Sequence, residues 1–267
     1  MNDVAVKVPF DKVLASRQGG VGTITFNNPA RHNAMSQEMW EETGRILEEF
    51  AADDSVRVVV FTGAGGKAFV SGADISKFES ERATQEAIAR YDATGERLNK
   101  IINGFEKPLI AKIRGYCIGG GMGLAVSCDI RICSDNSRFG VPAAKLGLGY
   151  KFDGTKRLVD VVGVAFAKEI FFTAKQYSAR EASEMGLVNR VVPEAALDAV
   201  VQDYADTIAA NAPLTVKTAK YTINQTVALE PDVAGCGERV RACFASSDYI
   251  EGRRAFMEKR KPQFTGT

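Results

Sequence analysis

Two stretches of small residues are the parts of this sequence best suited to chemistry carried out by the backbone. The first runs from Ile118 to Leu124 and contains three consecutive glycines ahead of an apolar run that predicts a helix. The second covers residues 67–75 and is centred on Gly72. A glycine turn that opens a helix leaves the first helical amides without partners, so an anion or a developing oxyanion fits there. The sequence therefore predicts a site made of backbone N–H groups.

Each glycine-rich stretch follows a run typical of a buried strand. Val56–Thr62 precedes the stretch centred on Gly72, and Leu109–Ile113 precedes the triple glycine; both runs are apolar and contain β-branched residues. Glycines in such turns can also simply relieve crowding between a strand and a helix. The recurrence of strand, small-residue turn and helix nevertheless indicates an α/β protein.

The composition argues against several classes of protein. The chain has 267 residues, of which 45% are hydrophobic, so it can bury a sizeable core. Lysine and arginine total 34 against 33 acidic residues, and the net charge of +1 leaves no electrostatic footprint for nucleic acid or a membrane surface. The five cysteines and single histidine lack the spacing of zinc ligands. We therefore expect a soluble, cytoplasmic protein with no bound metal and no nucleic-acid or membrane partner.

Hydrophobic periodicity and capping residues predict the elements that must position these turns. Two strands joined by a turn are predicted at Val13–Arg17 and Val21–Phe26, and Ser36 is the predicted cap of the helix that follows. Ser178 and Glu181 form a capping-box pattern. The other predictions are a polar helix within Ser76–Thr94, a strand at Asp129–Cys133, a turn at Lys151–Thr155, a strand at Leu187–Val192 and C-terminal helices at Leu197–Ala209, Leu214–Thr226, Val233–Ser246 and Tyr249–Lys259.

Five stretches, in order along the chain, resemble signatures of the crotonase superfamily, the enoyl-CoA hydratase/isomerase family. They are Asn28–Ser36, Phe69–Ile75, Gly119–Ile130, Ser178–Pro193 and Glu251–Phe256. One such match would be weak, whereas five in order are specific. The resemblance implies an α/β fold with a crotonase-like spiral of repeated strand-strand-helix units over residues 1–195. It also implies a helical C-terminal oligomerisation region over residues 196–267, in a homotrimer or homohexamer.

The resemblance also implies a role for the two glycine-rich stretches. The amides of Ala73 and Gly120 would form an oxyanion hole for the thioester carbonyl of an acyl-CoA substrate. Coenzyme A would be present only as part of that substrate, with no cofactor bound permanently. Backbone donors suit this site because side chains would block the acyl group. The residues implied to contact coenzyme A are Arg31, Ala34, Lys67, Ala68, Ser71, Asp74, Ile75, Gly119 and, from a neighbouring subunit, Lys259.

The sequence departs from the family pattern at the two positions where a typical hydratase has glutamates. One is two residues after the third glycine and the other follows the proline of the Phe-Gly-x-Pro segment; here these are Gly123 and Ala143. Hydration needs carboxylates to hold the water and pass its proton, which neither glycine nor alanine can do. We therefore expect an atypical member that lacks both hydratase glutamates.

Asp153 is the remaining candidate for proton transfer. Phe152-Asp153-Gly154 resembles the Ser-Phe-Asp-Gly segment of dihydroxynaphthoyl-CoA synthases and of ring-opening hydrolases of 2-oxocycloalkanecarboxyl-CoA substrates, which make or break a carbon–carbon bond beside the thioester. By gap-free counting, Asp153 lies about two residues beyond the usual aspartate of related dehalogenases and isomerases, where this chain has Lys151. Asp153 could instead be a turn aspartate bonded to its own backbone. Tyr150 and Lys151 are secondary candidates as proton donors.

The sequence favours one function and leaves two alternatives. The favoured function is a crotonase-type acyl-CoA enzyme that stabilises a thioester enolate with Ala73 and Gly120. Asp153, with Tyr150, would transfer protons during carbon–carbon bond cleavage or formation or double-bond isomerisation. The alternatives are an enoyl-CoA hydratase that uses non-standard residues, and an acyl-CoA binding protein without turnover. A Rossmann dehydrogenase is disfavoured because the triple glycine is not a GxGxxG motif.

Overall fold

The computed structural model describes residues 4–6, 10–74 and 84–267, and these contain two β-sheets and ten α-helices. The strands are β1 (Val4–Val6), β2 (Val13–Gln18), β3 (Val21–Phe26), β4 (Val58–Gly63), β5 (Ala68–Val70), β6 (Leu109–Ile113), β7 (Tyr116–Ile118), β8 (Ile130–Ser134), β9 (Arg138–Gly140), β10 (Tyr177–Ser178) and β11 (Arg190–Val192). The helices are α1 (Gln37–Ala52), α2 (Gln85–Gly104), α3 (Gly120–Val126), α4 (Ala143–Leu146), α5 (Phe152–Thr173), α6 (Ala179–Glu184), α7 (Leu197–Ala210), α8 (Pro213–Thr226), α9 (Val233–Ala245) and α10 (Ser247–Glu258).

The larger sheet has seven strands in the order β1-β2-β3-β4-β6-β8-β11. Its first three strands are antiparallel, and every pairing from β3 onward is parallel. Side chains of β4 alternate between two hydrophobic cores, as expected for a strand buried on both faces. Val58 and Val60 pack with α7, whereas Val59 and Phe61 belong to the main core. Helix α7 therefore packs directly on this sheet.

The smaller sheet has the strand order β10-β9-β7-β5 and brings the two glycine-rich stretches together. Strands β5 and β7 pair in parallel. Neighbouring parallel strands end at the same edge of a sheet, so the residues that leave β5 and the residues that leave β7 emerge side by side. Gly72 and Ala73 follow β5, and the triple glycine follows β7.

Most of the predicted elements are confirmed, and so are both predicted helix caps. The Ser36 hydroxyl accepts from the Met39 amide at 3.3 Å, and Ser178 and Glu181 form a reciprocal capping box. Helix α2 begins at Gln85, with Thr84 as its cap, while the predicted helical residues 76–83 lie outside the described residues. The predicted C-terminal helices all occur, each within two residues of its expected ends. The division of the chain at residue 195 stays a prediction.

Two predictions about local structure were wrong. Residues 151–155 do not form a separate turn, because Lys151 is the N-cap of α5 and Phe152 its first residue. The strand predicted from Leu187 begins only at Arg190. The triple glycine lies downstream of the strand that ends at Ile113, as predicted, and the short strand β7, which was not predicted, lies between them. In the described part of the chain, no helix is long and apolar enough to span a membrane.

Candidate active site

Ala73 is held by a single parallel bridge to Met35. The Met35 amide donates to the Gly72 carbonyl at 2.9 Å, and the Asp74 amide donates to the Met35 carbonyl at 2.9 Å. In a parallel bridge these bonds involve the residues on either side of Ala73, so the N–H of Ala73 itself points away from Met35. Within the described ranges, that N–H has no recorded acceptor.

Gly120 is the first residue of α3, and its amide also has no backbone acceptor among the described residues. The preceding Gly119 adopts φ 56° and ψ −116°, a conformation that favours glycine, and its own amide donates to the Gly140 carbonyl at 2.8 Å. A Cβ atom built on Gly120 would lie 3.9 Å from the Ala73 nitrogen, and one built on Gly72 would lie 4.0 Å from the Gly120 nitrogen. The two unpaired amides are therefore neighbours, the arrangement that suits a developing oxyanion.

Asn33 attaches the Asn28–Ser36 stretch to the strand that leads to Ala73. It is fully buried, with φ 56°, a left-handed conformation that asparagine tolerates better than most residues. Its side-chain nitrogen donates to the carbonyls of Ala64 and Ala68 at 3.0 and 2.7 Å, and its side-chain oxygen accepts from the Asn28 amide at 2.9 Å. These three hydrogen bonds fix the Asn28–Ser36 stretch beside strand β5, so the side chain of Asn33 supports the position of the site.

The candidate coenzyme A contacts lie on these same segments, and their role stays a prediction. Ser71 bonds the carbonyls of Arg31 and His32, so these residues share one surface. Lys67 and His32 line a small cavity of about 340 Å³. Four further candidates differ in their exposure to solvent. Ala34 is half-buried, the side chains of Ala68 and Asp74 are buried, and Lys259 is exposed just after α10. Ile75 lies outside the described residues.

Neither position expected to carry a hydratase glutamate supplies a polar side chain. Gly123 lies one turn after Gly120 on the same face of α3, and a Cβ atom built on it would meet no atom of the described residues within 4 Å. Ala143 begins α4 and is buried. Among the described residues, the space beside Gly123 is therefore open.

Asp153 is exposed in the first turn of α5, where no hydrogen bond to it is recorded among the described residues. Arg157, one turn later on the same face, donates to the hydroxyl of Ser127 at 2.7 Å and to the side-chain oxygen of Asn103 at 2.6 Å. Burial lowers the pKa of Arg157, and the charge of Asp153 opposes that shift. Asp153 and Arg157 line a cavity of about 780 Å³ beside the C-terminal end of α3.

The other two candidate proton donors differ in environment. Burial of the phenol, reinforced by Tyr91, raises the pKa of Tyr150 to about 12, although 40% of the residue's surface stays exposed. Lys151 pairs with Glu96 at 2.9 Å and Asp92 at 3.2 Å, and the bond to Glu96 contributes most to raising its pKa. Lys151 is therefore held as a cation on helix α2 rather than poised to lose a proton.

Sequence reasoning missed one residue of this site. The Cζ2 atom of Trp40, on α1, lies 3.4 Å from the position of a Cβ atom on Gly120. Its helical spacing with Thr43 and Leu47 is that of an ordinary core residue, so nothing in the pattern distinguished it. Within the described ranges, no group of three or more histidine, cysteine, aspartate or glutamate side chains could hold a metal ion.

Comparison with known proteins agrees with this architecture. Residues 16–267 match the sequence profile of the enoyl-CoA hydratase/isomerase family. The chain is 38% identical to the short-chain-enoyl-CoA hydratase of Clostridium acetobutylicum (94% of this chain, 97% of the relative). It is 34% identical to the crotonyl-CoA hydratase of Syntrophomonas wolfei (96% and 98%). A crystal structure of an enoyl-CoA hydratase/carnithine racemase from Magnetospirillum magneticum superposes with a TM-score of 0.92, at 37% identity and 97% coverage of both chains.

The fold is thus that of the crotonase-like α/β proteins, with a helical C-terminal region. The chain belongs to the enoyl-CoA hydratase/isomerase family.

Proposed function

We propose that this protein is an acyl-CoA enzyme that stabilises the enolate of a thioester. The observation that carries the proposal is the adjacency of the two unpaired amides of Ala73 and Gly120. Two fixed donors that converge on the thioester oxygen would stabilise the negative charge that develops there, and each such donor typically contributes about 10²- to 10³-fold in rate. Glycines flank both amides along the chain, Gly72 before Ala73 and Gly119 and Gly121 on either side of Gly120, which favours the approach of an acyl group.

Asp153 is the proposed base that takes the proton from the α-carbon of the acyl group. In this step the C–H bond breaks, its electron pair enters the enolate, and the proton moves to the carboxylate. Return of that proton to another carbon would isomerise a double bond. Attack of the enolate on a carbonyl carbon, or the reverse step, would form or cleave a carbon–carbon bond. No described residue comes within 4 Å of a Cβ atom built on Gly123, which supports room there for groups on the α- and β-carbons.

Hydration of an enoyl-CoA is the second candidate. The names of the relatives from Clostridium acetobutylicum and Syntrophomonas wolfei favour it, at 38% and 34% identity. Against it stands the absence of a carboxylate at Gly123 and Ala143, where we align the two glutamates of typical hydratases. Hydration would then require that Asp153 or Tyr150 hold the water.

The test is to compare the wild-type protein with Asp153→Asn on a panel of acyl-CoA substrates. We expect Asp153→Asn to abolish turnover and to leave the affinity for coenzyme A unchanged, because the proposed contacts to the thioester and to coenzyme A lie on other residues. Unchanged turnover of an identified substrate would remove Asp153 from the mechanism. Hydration of crotonyl-CoA by the wild-type protein above about 1 s⁻¹, an ordinary enzymatic rate, would favour the second candidate.

A further inference from the structure

Trp40 contacts the proposed thioester site from a helix that contributes nothing else to it. It lies in the second turn of α1, which begins just after the Met35 bridge to Ala73. Its Cζ2 atom approaches the open side of Gly120 to 3.4 Å, measured to a Cβ atom built on that glycine.

Trp40 also lines a cavity of about 630 Å³ between α1 and α2. Gly44, Leu98 and Ile101 contribute apolar parts of its lining, and acidic and arginine side chains from both helices also border it. Trp40 is only half-buried, and no hydrogen bond joins its indole N–H to any residue in the described part of the chain. A tryptophan that served packing alone would more often be buried with its N–H paired.

We propose that Trp40 is a specificity-determining residue that limits the acyl group to short chains. The inference rests on the proposed function, because it assumes that the acyl group lies beside Gly120. Trp40 borders both the open side of Gly120 and the cavity between α1 and α2, so a long chain directed past Gly120 would meet the ring. Without the ring, that chain would gain access to the cavity.

The first test uses the fluorescence of the protein, because Trp40 is the single tryptophan in the chain. We expect butyryl-CoA to change the tryptophan emission and coenzyme A alone, at saturation confirmed by calorimetry, to leave it nearly unchanged. Free tryptophan amide in the same solutions controls for light absorbed by the ligand. Saturating butyryl-CoA without any change in emission would overturn the proposal. This readout needs no turnover.

The second test measures size selectivity through exchange of the α-protons of butyryl-CoA and decanoyl-CoA in heavy water. We expect Trp40→Ala to raise the ratio of decanoyl to butyryl exchange by about tenfold or more, since pocket contacts of a few methylene groups give discrimination of this order. Trp40→Phe, which keeps an aromatic wall, is expected to change the ratio by less than about threefold. Trp40→Leu replaces the alanine variant if the latter unfolds.

An unchanged ratio in folded Trp40→Ala or Trp40→Leu would overturn the proposal. If the wild-type protein exchanges neither substrate, the proposed enolate chemistry fails, while the fluorescence titration still decides whether Trp40 contacts the acyl group. The two failures are therefore distinguishable.

Discussion

Gly121 lies so close to Val70 that no Cβ atom fits between them: a Cβ atom on Gly121 would be 2.1 Å from the Val70 carbonyl oxygen. Val70 ends strand β5, three residues before Ala73, and Gly121 directly follows Gly120. This close backbone contact holds α3 against β5. It therefore helps to place side by side the two amides that we assign to the thioester oxygen.

Alanine at Gly121 and at Gly123 should have opposite effects on stability. Gly121→Ala must displace α3 from β5, and we expect the free energy of unfolding to fall by about 3 kcal/mol or more, the upper end for overpacking. Gly123→Ala adds a methyl group within a helix where no described residue lies within 4 Å, and we expect a gain of about 0.5–1 kcal/mol. Urea unfolding of both variants measures the difference. Equal stabilities would contradict the packing described for α3.

Gly120→Ala should reduce activity while the protein stays folded. The new methyl group would meet Trp40 at 3.4 Å and the Ala73 nitrogen at 3.9 Å, contacts that the fold can accommodate. The same methyl group would occupy the place of the thioester oxygen, so we expect a loss of about 10²-fold in α-proton exchange. Gly123→Ala, on the same helix face, is the matched control for helix stability. Activity equal to that of the wild type would argue against the use of the Gly120 amide.

Asn33→Ala should lower the free energy of unfolding by much more than the replacement of an exposed asparagine. The variant loses three hydrogen bonds, including those to the part-buried carbonyl of Ala64 and the buried carbonyl of Ala68, in a backbone conformation that disfavours alanine. We expect a loss of about 3–4 kcal/mol. Asn27→Ala, which removes one exposed bond to the Asp11 carbonyl, is the control and should cost less than about 1 kcal/mol. Urea unfolding measures the free energy of unfolding of both variants. A small loss for Asn33→Ala would show that the three hydrogen bonds of Asn33 are not needed for stability.

The cysteines should divide into two groups in their reaction with a thiol reagent. Cys117, Cys128 and Cys133 are buried, and burial raises the pKa of both Cys128 and Cys133 to about 12. Cys236 and Cys243 are partly exposed. We expect at most two thiols to react in the native protein at pH 8 and five after unfolding. Rapid reaction of a third thiol in the native protein would contradict the burial of Cys117, Cys128 and Cys133.

The same buried thiols predict a pH dependence of stability. Unfolded cysteines release their protons near pH 9, whereas folded Cys128 and Cys133 keep theirs up to about pH 12. Between these values the folded state binds more protons, so the free energy of unfolding must fall as the pH rises. Urea unfolding at pH 8 and pH 10 measures this slope, and replacing Cys128 and Cys133 by alanine should reduce it.

Long, periodic elements and side-chain caps were predictable from the sequence, because each is a local pattern. The buried strand β4, the Ser36 cap and the capping box of Ser178 with Glu181 are examples. Strand β7 was not predicted, since three residues between two glycines carry no periodicity, yet its pairing with β5 is what brings the glycine stretches together. Helix α5 begins with an exposed phenylalanine and a glycine two residues later, which resemble a turn.

In the candidate site, too, the residues marked by a local sequence pattern were predictable and those defined by contacts between elements were not. Ala73 and Gly120 could be named from the resemblance because their neighbours are unusual small residues, and the structure places them side by side. Trp40 could not be named, because an aromatic residue at helical spacing is normally a packing residue. The role of Asp153 depends on which side chains approach the acyl group across separate elements, and no local pattern in the sequence encodes that.

Exchange of the α-protons of a saturated acyl-CoA, such as butyryl-CoA, in heavy water tests the proposed enolate chemistry directly, with mass spectrometry as the readout. We expect the wild-type protein to introduce deuterium at the α-carbon, Gly120→Ala to slow this exchange by about 10²-fold, and Asp153→Asn to abolish it. Binding of butyryl-CoA to the wild-type protein without any catalysed exchange would rule out the proposed enolate chemistry and would leave an acyl-CoA binding protein without turnover.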